Sequence, residues 1–150
     1  MKKRIAALSL FLSIVAISFA EPRQEDLKVS KILQENLAKA FPNAANVKWE
    51  KVGELYVADF KQDKDKMSAY FEEGGSLYKT TRYIDPASLP LAVVRSLNER
   101  YDLKDKEKKV LEVSRQNGTY YLISFDYDDK RYIVNSDPSG NLSVVKKTRI

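Results

Sequence analysis

The chain has 150 residues, with 26 Lys and Arg against 21 Asp and Glu for a formal charge of +5, and neither histidine nor cysteine. Without histidine there is no Ser-His-Asp or Cys-His dyad and no imidazole metal site; without cysteine there is no disulfide, thiolate nucleophile, zinc knuckle or iron–sulfur cluster. Catalysis here would have to rest on carboxylates, hydroxyls or lysine.

The basic stretch Met1-Lys2-Lys3-Arg4 precedes an apolar run from Ile5 to Ala20, broken only by serines, and Ser18-Phe19-Ala20 supplies small residues before Glu21-Pro22. This is the layout of a secretory signal peptide cleaved near Ala20. The run is shorter than the roughly 20 apolar residues that a span requires. A periplasmic or secreted chain of residues 21–150 is expected, with no transmembrane segment. Losing Lys2, Lys3 and Arg4, three cations and no acid, takes the formal charge from +5 to +2. The concentrated positive patch that nucleic acid requires is then missing, so no nucleic-acid partner is expected.

After a polar arm, Leu27, Ile32, Leu33, Leu37, Ala40 and Phe41 recur at helical spacing until Pro42-Asn43 stops the helix. Val47-x-Trp49, Tyr56-x-Ala58-x-Phe60, Met67-x-Ala69-x-Phe71 and Leu77 to Ile84 then read as four strands, separated by turns at Val52-Gly53-Glu54 and Glu73-Gly74-Gly75-Ser76 and by the charged loop Gln62 to Lys66. The short join Tyr83-Ile84-Asp85-Pro86 leads to a second helix, flanked at its start by Pro86 and Pro90, with a stripe of Leu91, Val94, Leu97 and Tyr101. Four further strands follow: Val110 to Arg115, the segment bearing Tyr121, Ile123 and Phe125, Arg131 to Asn135, and Leu142 to Lys147. Asn117-Gly118 is a strong hairpin signal between the first two. The halves align at an offset of 65, Tyr56-x-Ala58-x-Phe60 on Tyr121-x-Ile123-x-Phe125 and Gly75-Ser76-Leu77 on Gly140-Asn141-Leu142. An α+β fold is expected, with tandem repeats of one helix followed by a four-stranded antiparallel sheet, at 21–85 and 86–150, packed as one body.

The order of these motifs, from the helix ending Ala40-Phe41-Pro42 through Val47-x-Trp49 to Ala69-Tyr70-Phe71 before Gly74-Gly75 and the looser second copy, resembles the PepSY-like proteins of the β-lactamase-inhibitor-protein-like (BLIP-like) group. The resemblance implies sheets that present a surface to partners, no catalytic residue and no cofactor. It also implies a role in inhibiting or regulating an envelope enzyme such as a peptidase.

If Tyr56/Ala58/Phe60 and Tyr121/Ile123/Phe125 face the helices, the opposite face carries Leu55, Val57 and Tyr70 in one half and Tyr120, Leu122 and Ile133 in the other. An apolar, tyrosine-bearing face is a candidate surface for a protein or peptide of the cell envelope; the competing readings are sheet-on-sheet packing, a homodimer through this face, or a face assignment off by one. The equivalent loops Asp63-Lys64-Asp65-Lys66 and Asp126-Tyr127-Asp128-Asp129 are further candidates. In the second, Asp126, Tyr127 and Asp128 are the contact residues, with an exposed Tyr127 as anchor. Neither loop has the spacing or the glycine of a calcium loop, so no metal is expected.

Trp49 reads as core rather than as a sugar-stacking ring. Lys104 to Lys109 reads as a solvated connection, and Lys146-Lys147-Thr148-Arg149 as a lysine-blunted edge strand, although it also suits an anionic envelope polymer. Asn117-Gly118-Thr119 and Asn141-Leu142-Ser143 fit the glycosylation sequon but fall where turns are needed. Paired carboxylates are the one catalytic option, and nothing sets Asp126 or Asp128 across a cleft from a partner acid. The expectation is a non-catalytic exported binding protein, with an envelope-polymer scaffold, or more remotely a carboxylate-dependent hydrolase, as the alternative.

Overall fold

The computed structural model describes residues 28–104 and 106–150; the signal-peptide segment, the polar arm and Leu27 lie outside them. Helix α1 (Lys31–Ala40) is followed by strands β1 (Ala45–Val52), β2 (Leu55–Gln62), β3 (Asp65–Phe71) and β4 (Leu77–Ile84). A 3₁₀ turn at Pro86–Ser88 leads into α2 (Leu91–Tyr101). Strands β5 (Lys108–Arg115), β6 (Gly118–Tyr127), β7 (Lys130–Ser136) and β8 (Leu142–Arg149) complete the order.

The strands form a single eight-stranded antiparallel sheet in the order β1 to β8. This overturns the expectation of tandem helix-plus-four-strand units with a sheet each. The joining pair is β4 with β5, running from Thr80 opposite Ser114 to Ile84 opposite Val110. Alternation in sequence reports where side chains are apolar, and along this seam they are not. On the helix-bearing side, Thr80, Arg82, Glu112 and Ser114 interrupt the apolar pattern while the backbone ladder runs on. Arg82 Nε donates to Glu112 Oε1 at 2.7 Å and its guanidinium reaches Asp65 at 3.3 Å, and the bond to Glu112 holds the guanidinium pKa above its ordinary value.

Two apolar clusters flank that seam on one side of the sheet. Leu33 and Leu37 of α1 pack with Ala58, Phe60, Ala69 and Phe71. Val93, Leu97 and Tyr101 of α2 pack with Val110, Ile123, Phe125 and Val134. The helix phases are narrower than the periodicity suggests. Ile32 points outward, Leu91 is 72% exposed at the first position of α2, and Val93 rather than Val94 is fully buried, because a helix resting on one sheet face buries only a narrow stripe, here Leu33 and Leu37 in α1 and Val93, Leu97 and Tyr101 in α2.

Tight turns set the register. Gly53 (φ +62°) starts the β1–β2 turn, and Asp128 and Asp129 (φ +50° and +55°) form the two-residue β6–β7 turn, a left-handed pair that Asp tolerates. The β5–β6 turn falls one residue earlier than Asn117-Gly118 suggests, on Gln116-Asn117, with Gly118 already paired to Arg115. The tips of β3–β4 and β7–β8 dock on the helices: Asn36 Nδ2 donates to the Gly75 carbonyl at 2.9 Å, and Gly140 lies against Ala92 and Ser96 of α2.

Candidate functional site

Both helices sit on one side of the sheet, so among the described residues the other side carries no helix. Strand alternation and the cross-strand pairs place its residues in rows. Val57 lies opposite Tyr70, and Tyr70 opposite Lys79. Thr81, Val113 and Tyr120 form the next row, and Tyr83, Leu111, Leu122 and Asn135 the one after. Ile133 pairs with Ser124 and Lys146. All six sequence candidates on strands, Leu55, Val57, Tyr70, Tyr120, Leu122 and Ile133, therefore share this open face.

Its centre is nevertheless closed to solvent. Val57 is 1% exposed and Val113 2%, although no helix covers them. A wide antiparallel sheet twists and coils, so its middle rows are recessed relative to its edges. Val57 is thus corrected from a contact residue to a support beneath the surface, whereas Leu55, Tyr70, Tyr120, Leu122 and Ile133 remain partly accessible. A groove of about 790 Å³, lined by Asp59, Ser68, Thr81, Tyr83 and Leu111 among others, opens on this side. Tyr83 stands 70% exposed beside it, and the buried Asn135 Oδ1 has no hydrogen-bond partner.

The loop candidates fare differently. Tyr127 is not an exposed anchor: β6 continues through it, and two residues beyond Phe125 it faces the helix side, where its ring lies 5.7 Å from Tyr101 and 6.3 Å from Tyr132. Asp126 is on the open side but already engaged. Arg131 donates to both its oxygens at 2.8 and 2.9 Å, and that bond holds the carboxyl below the usual carboxylate range. Asp128 is exposed in the turn, 3.6 Å from Lys130 Nζ, and its side of the hairpin is set by backbone need rather than recognition. No group of three or more His, Cys, Asp or Glu among the described residues is placed to hold a metal ion. Trp49 packs 5.8 Å from Phe71 on the helix side, and Lys146 to Arg149 lie in the edge strand β8.

Sequence reasoning missed two of the cations on the open face, Lys79 and Arg115. Lys79 Nζ sits 4.2 Å from the centre of the Tyr70 ring. The Arg115 guanidinium lies 5.0 Å from the Tyr78 ring and 5.5 Å from that of Tyr120. The β4–β5 ladder ends at the Thr80–Ser114 pair, and Lys79 and Arg115 each lie one residue past it. Burial, and then the neighbouring Arg115 charge, lower the Lys79 pKa. The available signal was the dipeptide Tyr78-Lys79 in a strand, which carries no information about its partner across the seam.

No family model matches the chain, and no curated protein matches it by sequence. Solved structures do match in shape. A BLIP-like protein from Bacteroides fragilis superposes with a TM-score of 0.68 at 22% identity, over 83% of this chain and 88% of that one. A candidate periplasmic protein from Bacteroides eggerthii gives 0.70 at 20% identity, over 81% and 89%. A DUF2874 family protein from Bacteroides uniformis gives 0.69 at 17%, over 81% and 89%.

Proposed function

The chain has the fold of these BLIP-like and DUF2874 structures, and from that fold and its open face we propose that it is an exported, non-catalytic binding protein. It presents the open sheet face to a protein or peptide partner in the cell envelope, and in so doing regulates or inhibits an envelope enzyme. The observation that carries this reading is the composition of that face. Partly accessible Tyr70 and Tyr120 stand beside Leu55, Leu122 and Ile133, on a rigid sheet with a groove beside the exposed Tyr83. Tyrosine supplies large contact area with a hydroxyl at low entropic cost, which is why it recurs in binding hot spots.

A pull-down from envelope extract tests this, comparing the 21–150 chain with its Tyr70→Ser/Tyr120→Ser variant. The native chain is expected to retain a discrete protein and the variant to lose it, each tyrosine contributing on the order of 2 kcal/mol if it is a hot spot. Circular dichroism checks that the variant is folded. Retention by both chains would remove the open face from the reading. A dimer seen by size exclusion that the variant breaks, with no protein captured, would make the face a self-association surface instead.

A further inference from the structure

Lys79 is half-buried and Arg115 exposed on the open face. They lie near one another, each one residue past the Thr80–Ser114 end of the β4–β5 ladder, where the Arg115 charge acts on Lys79 and like charges repel, and no carboxylate among the described residues lies within salt-bridge distance of either. Each is instead held against tyrosine rings, Lys79 on Tyr70 and Arg115 between Tyr78 and Tyr120. A slip in the β3–β4 register, between Tyr70 and Phe71, inserts Tyr78 as the extra residue of β4. Glu50 lies in the same row, but beyond Val57 and Tyr70. Glu72 lines the groove of about 450 Å³ that Tyr78 and Arg115 share with the turn at Gln116 and Asn117, without pairing to the guanidinium.

We propose that Lys79 and Arg115, framed by Tyr70, Tyr78 and Tyr120, form a socket for an acidic side chain, Asp or Glu, projecting from the protein or peptide partner. The proposal rests on the open-face reading and adds the chemistry of what the face recognises. Unpaired cations fixed in place by aromatic rings lose little freedom when a carboxylate arrives, and Arg offers it a two-pronged donor. Carboxylates elsewhere on the face are spoken for or distant: Asp126 is held by Arg131, and Asp59 accepts from Ser68. The rings supply flat apolar walls for the methylene groups of an amino-acid side chain, which favours a polypeptide carboxylate over the phosphates of a lipid or polymer.

The test is fluorescence anisotropy with a labelled Gly-Leu-Glu-Leu-Glu-Gly peptide and its glutamine counterpart, using the 21–150 chain. The native protein is expected to bind the glutamate peptide roughly tenfold or more tightly than the glutamine one. Lys79→Gln/Arg115→Gln is expected to erase that preference. Lys109→Gln/Lys146→Gln, which removes the same charge from the same face outside both the tyrosine frame and the groove, is expected to keep it. Equal losses in the two variants would reduce the effect to general surface charge and overturn the socket, as would a native chain with no preference. So would binding to phosphatidylglycerol vesicles that outcompetes the peptide and disappears with Lys79→Gln/Arg115→Gln. A partner captured from the envelope by Lys79→Gln/Arg115→Gln but lost with Tyr70→Ser/Tyr120→Ser would sink the socket alone and leave the open-face reading standing.

Discussion

Replacing Gly140 with alanine is expected to lower the unfolding free energy by about 2–5 kcal/mol. Two costs combine. Gly140 has φ +87°, a left-handed conformation that charges an L side chain about 1–2 kcal/mol. A methyl group there would also meet the Ala92 carbonyl oxygen at 2.6 Å and Ser96 Oγ at 2.7 Å, so the β7–β8 tip must lift from α2, a displacement of the overpacking kind worth roughly 1–3 kcal/mol. The surrounding turn resists that movement, because Asp137 accepts from the backbone N–H groups of Ser139 and Asn141 and from Asn141 Nδ2. The side-chain bond from Asn141 also pulls the Asp137 pKa below its ordinary value. Two other glycines serve as internal controls in urea melts. Gly53→Ala, at φ +62° with nothing within 4 Å, should cost only the conformational part, and Gly74→Ala, with open space and no positive φ, should change little. A Gly140→Ala midpoint no lower than that of Gly53→Ala would show that the tip is not clamped to α2.

Phe71→Ala is expected to cost about 3–5 kcal/mol, a large part of the stability of a domain this size. Phe71 is fully buried, its ring meets Trp49 at 5.8 Å, and it packs among Leu33, Leu37, Ala58 and Ala69. The informative feature is how the loss spreads. Trp49 is the only tryptophan and packs on the α1 cluster, while the amides of β6 and β7 belong to the strands beneath α2. If the β4–β5 ladder couples the two clusters, the Trp49 fluorescence transition of Phe71→Ala and the loss of hydrogen-exchange protection in β6 and β7 move down together and stay superimposed. An α1 side that melts first while β6 and β7 keep their native protection would show that the continuous sheet does not transmit the loss.

The strands were legible because each carries its own two-residue alternation, and the open face with them: Tyr70 and Tyr120 separate from Phe71 and Tyr121 by a single step. Tyr127 was readable in the same way, two residues from Phe125, yet the carboxylates around it suggest a loop. Those carboxylates reflect the left-handed turn at Asp128-Asp129, a backbone requirement that mimics the composition of a recognition loop. What the sequence could not supply is the β4–β5 pairing. Hairpin turns fix every other neighbour, but these strands are separated by a 3₁₀ turn and α2, and their register is set only by tertiary packing. The single sheet and the meeting of Lys79 with Arg115 both hang on that one non-local pairing, and both were missed.

The most direct measurement of the central claim is site-specific photo-crosslinking in intact cell envelopes. A benzoylphenylalanine placed at Tyr83 projects from the open face, and one placed at Leu91 projects with similar exposure from α2 on the opposite side. Tyr83→benzoylphenylalanine is expected to give a discrete adduct with a second protein, and Leu91→benzoylphenylalanine none. Adducts that form from position 91 but not from position 83 would put the partner on the helix side and contradict the assignment of the open sheet face as the working surface.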